Sequence, residues 1–110
     1  MEEFFQLALK LVRNYVSALR WAGQFRARAL EEPRNVERRT QWLEEANRIE
    51  QVYEEPMIQA LNQLVAEGKT EKKALEEIVR LLSQPPRLTP FAKNALSRLK
   101  RALLGSPRLT

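Results

Sequence analysis

The sequence predicts an all-α fold, a single compact bundle of four to five helices over residues 1–110. Three observations carry that expectation. Apolar residues recur at alternating steps of three and four along most of the chain, the spacing that lines one face of a helix. No stretch alternates as a half-buried strand does, and no period of about 20–50 residues marks a repeat array. All fourteen acids are Glu and none is Asp, a bias toward helix interiors and away from turns and caps. At 110 residues, 44% hydrophobic and 30% charged, the chain suits one globular domain with a real core.

The first helix is expected over residues 2–31 and organises the rest. Phe4, Ala8, Leu11, Tyr15, Ala18, Ala22, Phe25 and Ala29 form its apolar stripe, and Phe5, Leu9, Val12, Val16 and Leu19 widen it on one side. Such breadth needs a partner on each flank. At about 1.5 Å per residue the helix is roughly 40 Å long. Its narrow polar stripe holds Lys10, Arg13, Ser17, Arg20, Gln24 and Arg28 with no acid among them, and Trp21 projects into that stripe.

Pro33 and Asn35 then break the chain and restart it, since proline disfavours helix at the residue before it and Asn is a good cap. The next stretch, 36–67, keeps helical register through Val36, Leu43, Ala46, Ile49, Tyr53, Met57, Ala60 and Leu64, with Trp42 at the edge. Pro56 predicts a kink or short break at Glu54 to Pro56, and Gly68 an end. Thr70 and Glu71 open a piece over 71–83 that buries Ala74, Leu75, Ile78, Val79, Leu81 and Leu82. Its other face is a ladder of Lys72, Glu76 and Arg80, and of Lys73 with Glu77, read as solvated surface. Pro85 and Pro86 stop it. Thr89-Pro90 restarts a last helix over 90–104, expected to bury Phe91, Ala95, Leu99, Ala102 and Leu103, with Gly105 and Pro107 ending it and 105–110 as a tail.

Charge is segregated along the chain. Residues 1–30 carry five bases and two acids, 31–67 four and nine, 68–84 four and three, and 85–110 six bases and no acid, within a net charge of +5. Basic ends around an acidic middle point to one face built for a polyanion. The last segment places Lys93, Asn94, Ser97, Arg98, Lys100 and Arg101 on one polar arc, with Arg87 before it and Arg108 after it. Lys and Arg interleaved with Ser and Asn suit phosphate contacts, which position a strand without reading its bases.

The inventory argues against catalysis. There is no His and no Cys, so a hydrolytic triad, a thiol nucleophile, a Cys-ligated zinc and a Glu-x-x-His di-iron centre all lack their residues. The three glycines stand far apart, which excludes a phosphate-cradling loop. The adjacent Glu pairs at 31/32, 44/45, 54/55 and 76/77 lie on polar stretches and read as solvated surface. No cofactor and no metal are expected. The N-terminus begins with acids, and no apolar run approaches the ~18 residues of a membrane span, so a cytoplasmic protein without membrane contact is the expectation.

A short, helical, cysteine-free, basic chain with a long first helix and charge on separate faces resembles the small subunit of CRISPR effector complexes of types I and III. The resemblance rests on architecture and charge. It implies several copies stacked with other protein subunits of a ribonucleoprotein, holding DNA or RNA backbone electrostatically. It places that role on Lys10, Arg13, Arg20 and Arg28 and on Lys93, Arg98, Lys100 and Arg101. Trp21 and Trp42 are candidates for base stacking or for partner contact, and the competing expectation is a helical adaptor that binds only protein.

Overall fold

The computed structural model describes residues 2–32, 34–67, 72–85 and 87–105. Four α-helices and no strand occur among them: α1 (Glu2–Leu30), α2 (Val36–Glu67), α3 (Lys72–Leu82) and α4 (Pro90–Gly105). The expectations placed on Pro33, Gly68, Thr70, Glu71, Pro86, Pro107, Arg108 and the rest of the tail lie outside the described residues.

Helix starts follow the side chains that serve their free N–H groups. Asn35 opens α2, its Oδ1 accepting from the Arg38 N–H at 3.1 Å. Thr89 opens α4 in the same way, its Oγ1 accepting from the Ala92 N–H at 3.2 Å, with Pro90 next, where a missing N–H costs nothing. Of the kink or short break expected at Glu54 to Pro56, the break does not form: α2 is one continuous helix through Pro56. The hydrogen bond that the proline deletes is the one to the Val52 carbonyl. Val52 and Pro56 both lie on the exposed side, where solvent can serve that carbonyl.

The helices pack in the ring order α1, α2, α4, α3, which leaves α1 and α4 on one diagonal. Thr89 meets Glu54 and Arg98 meets Asn62, so α4 runs parallel to α2. α1 and α2, about 43 and 48 Å long at 1.5 Å per residue, outreach α3 and α4, at about 16 and 24 Å. The result is a four-helix body from which the far halves of α1 and α2 project as a two-helix arm. The principal extents are 56 × 23 × 17 Å, and the radius of gyration of 16.2 Å exceeds the ~13 Å of a compact chain of this length.

Burial follows that division. The body core joins Ala8, Val12 and Tyr15 of α1 to Met57, Leu61 and Leu64 of α2, to Leu75, Ile78 and Leu82 of α3, and to Ala92, Ala95 and Leu99 of α4. Each large aliphatic side chain buried there contributes about 1.5–3 kcal/mol. The arm has a separate, thinner core of Ala18, Ala22, Ala46 and Ile49 beside Phe25. Small residues let these two helices approach closely but bury little apolar area.

Several residues expected in the core are not there. Phe91 is 71% exposed, because the buried face of α4 is Ala92, Ala95, Leu96 and Leu99, rotated from the predicted stripe. Val36, Leu43 and Tyr53 are also exposed, since they flank the arm, where no third helix covers them. Conversely Glu54, read as solvated surface, is buried, as is Glu50 one turn earlier. In the surface ladder of α3, the ion pair that forms is Glu77 with Arg80, three residues apart rather than four.

Candidate nucleic-acid interface

Where the arm leaves the body, the link between α3 and α4 closes one side of an open notch of about 540 Å³. Arg20 and Arg26 of α1 and Arg87 of the link bring three guanidinium groups to its walls, and Glu50 of α2 brings one carboxylate. Leu19, Pro85 and Leu88 supply apolar surface. The remaining wall is the α1 backbone at Gly23, where a Cβ would meet no atom within 4 Å.

Arg26 is not free in this notch. It forms an ion pair with Glu50 and donates a second hydrogen bond to Asn47 Oδ1 at 3.1 Å. The Glu50 carboxylate, with only 11% of its side chain exposed, is thereby neutralised at the base of the arm. Arg20 and Arg87 have no carboxylate within 4 Å among the described residues, although they stand in sequence on opposite sides of the whole body. Sequence reasoning paired Arg20 with the rest of α1 and Arg87 with α4. The fold puts the two in one notch, and the link continues from Arg87 into α4.

At Thr89, on the wall of the notch, lies a partly buried polar junction. Thr89 Oγ1 donates to the Glu54 carboxylate, accepts from the Ala92 N–H, and stands 3.4 Å from the Tyr15 hydroxyl. The one Thr89 proton goes to Glu54, so Tyr15 is the donor in that long contact. Burial first, and then the charges of Glu54 and Glu50, push the Tyr15 phenol above its ordinary range. The junction pins the α3–α4 link, and with it Arg87, to α1 and α2.

On α4 the basic arc is as exposed as expected. Lys93, Lys100 and Arg101 face solvent with no carboxylate within 4 Å among the described residues, and Arg98 donates to Asn62 Oδ1 at 3.2 Å. The four ion pairs of the described chain engage other arginines, namely Arg26, Arg38, Arg48 and Arg80. The α1 stripe is more encumbered. Arg13 faces Glu77 across the α1–α3 contact, where the neighbouring Arg80 first and Arg13 at longer range hold the Glu77 carboxyl below its ordinary value. Arg28 lies over the Trp42 ring at 5.3 Å and the Phe25 ring at 6.0 Å. Lys10 is exposed.

The two tryptophans differ. Trp42 is half-buried, stacked at 5.4 Å against Phe25 and covered by Arg28, and its Nε1 is buried without an acceptor among the described residues. Trp21 contacts Phe25 at 6.0 Å but keeps 48% of its surface exposed, beside Tyr53. The outer faces of α1 and α4 are on the diagonal of the bundle, so the two predicted basic arcs do not merge side by side; among the described residues Arg87 and Arg20 line the notch between them.

Residues that sequence reasoning missed are Arg26, Glu50 and Glu54. A signal was present: Ala46, Glu50, Glu54, Met57 and Leu61 keep steps of four, four, three and four, so both acids occupy an apolar register. Among the described residues no helix is long and apolar enough to cross a membrane. No protein-family model matches the chain, and no curated protein or solved structure is significantly similar to it.

Proposed function

We propose that this chain is a non-catalytic subunit of a ribonucleoprotein that holds nucleic-acid backbone without reading sequence. A CRISPR effector complex of type I or III is the assembly its architecture resembles, with several copies beside other protein subunits. One observation carries the reading: every ion pair among the described residues engages arginines outside the α4 arc, which leaves Lys93, Lys100 and Arg101 exposed and uncompensated. Such bases release counterions when they meet phosphates, and this term supplies most of sequence-independent affinity. The track runs along α4 and over the link at Arg87 toward Arg20. A salt titration of binding to single- and double-stranded oligonucleotides tests it. Affinity is expected to fall with a log–log slope of about −0.7 to −0.9 per phosphate contact. Absence of binding even near ~50 mM salt refutes the proposal.

A protein-binding adaptor without nucleic-acid contact is the second reading. It is favoured by the apolar residues left uncovered on the arm, Trp21, Leu30, Val36 and Leu43. Mass measurement of the native complex recovered with this chain separates the two. Nucleic acid in the complex supports the first; a nucleic-acid-free heteromer supports the second.

A further inference from the structure

We infer that the notch is a slot for one unstacked nucleotide of a bound single strand, its base against the α1 backbone at Gly23 and a flanking phosphate on Arg20 and Arg87. The inference rests on the backbone-binding reading above and adds a strand preference to it.

The charges give the slot a direction. Arg26 is neutralised by Glu50 and held by Asn47, so the positive field in the notch comes from Arg20 and Arg87. A phosphate is drawn to that side, the Arg26–Glu50 pair contributing little net field. The rest of the notch does not suit an anion alone. Leu19, Leu88 and Pro85 offer apolar surface for a ring, and the bare backbone at Gly23 leaves room for a flat group to approach α1. A volume of about 540 Å³ lies within the ~300–1,000 Å³ of sites for small organic ligands and is wasteful for inorganic phosphate. Gln84 on the link adds a polar edge group.

Position in the fold argues for a strand rather than a free nucleotide. Arg87 is both a wall of the notch and the last base before the α4 arc, so a backbone lying on Lys93, Lys100 and Arg101 arrives at the slot by following the link. A paired base would have to leave its stack to enter, at a cost that an already unpaired base does not bear. The slot therefore discriminates single strands from duplex, which the α4 arc alone does not.

Gly23→Leu tests this because it fills the slot and leaves every charge in place. With no atom within 4 Å of the new Cβ, and with leucine a better helix former than glycine, its melting temperature is expected to equal or exceed that of wild type. Binding of oligo(dT) and of a duplex of equal length is measured at one salt concentration and across a salt series. The expected result is a loss of about five-fold or more for oligo(dT), the order expected when a base loses its apolar contact with Leu19, Pro85 and Leu88. Duplex affinity and both salt slopes stay unchanged. Arg20→Gln with Arg87→Gln is expected to weaken both ligands and to flatten both slopes, and a 5′-mononucleotide is expected to displace oligo(dT) only weakly. Unchanged oligo(dT) affinity in Gly23→Leu, equal losses for both ligands, a fall in melting temperature, or strong displacement by the mononucleotide overturns the slot and leaves the backbone-binding reading standing. Wild-type protein that binds neither ligand overturns the reading beneath it.

Discussion

Replacing Thr89 with valine keeps the side chain's shape and removes one hydroxyl, and with it the junction that pins the α3–α4 link. The hydroxyl caps α4 through the Ala92 N–H and donates to Glu54, a residue only 8% exposed. Loss of an N-cap costs about 0.5–2 kcal/mol. Leaving a buried acceptor without its donor costs about 1–3 kcal/mol. Because one group serves both roles, the expected total is ~2–4 kcal/mol. An unfolding entropy of about 2.1 cal/mol/K per residue makes each kcal/mol worth roughly 4 °C in a chain of this length, so the midpoint should fall by ~8–16 °C. Urea and thermal unfolding followed by circular dichroism measure it. Thr89→Ser retains the hydroxyl and is expected to stay within about 0.5 kcal/mol of wild type. With Glu54→Leu already in place, Thr89→Val should cost only the cap, so the two substitutions should be non-additive by ~1 kcal/mol or more. A loss below about 0.5 kcal/mol for Thr89→Val, or strict additivity with Glu54→Leu, refutes the junction. The same substitution bears on binding, since Arg87 rides on the link that Thr89 anchors.

Other expectations follow from the same contacts. Reversing Lys93, Lys100 and Arg101 to Glu should weaken oligonucleotide binding by a large factor and flatten the salt slope by about 2–3, with helicity preserved. The triple at Lys10, Arg13 and Arg20 should cost less, Arg13 already facing Glu77, and a larger loss there with folding intact would show that the wrong face was chosen. Tyr15 has its folded-state pKa raised, so stability is expected to be full below the unfolded value of 10.0 and to fall as pH rises through the folded one. Tyr15→Phe should lack that decline in urea unfolding at alkaline pH. Phe91→Ala should change stability by no more than about 0.5 kcal/mol, the side chain being 71% exposed. Leu99→Ala, at a fully buried position, should cost about 2–5 kcal/mol.

What the sequence made legible was whatever depends on neighbours along one helix. The stripe of α1 from Ala8 to Ala29, the cap at Asn35 and the Thr89-Pro90 start are all local, and the structure shows each where its spacing puts it. Phe91 was misplaced because a large aromatic dominates any reading of a short helix. Burial on α4 is instead decided by where α2 and α3 lie, and they select Ala92 and Leu96. Glu54 was misread and Glu50 passed over for a related reason: their partners, Thr89 and Arg26, are 35 and 24 residues away, so nothing nearby explains why a carboxylate should tolerate burial. Pro56 signalled a kink or short break, and α2 stays continuous there, the affected carbonyl lying on its solvent side.

The candidate site divides along the same line. That α4 is basic without an acid is a property of one segment, and the fold leaves it as exposed as the sequence implies. The notch is a property of three segments and of a difference in length. Had α3 and α4 been as long as α1 and α2, they would have covered Gly23 and buried Arg20 and Arg26 at a helix–helix contact. Because they stop about halfway, the link turns over the exposed flank of α1 and carries Arg87 to Arg20. Pro85 after α3 and the Thr89-Pro90 start of α4 thus fix the height at which the notch forms. Moving the link along α1, by inserting one helical turn into both α3 and α4, should close the slot at Gly23 while adding core. In such a variant the preference for single strand over duplex should disappear while the affinity due to α4 persists, and retention of that preference would place its source outside the notch.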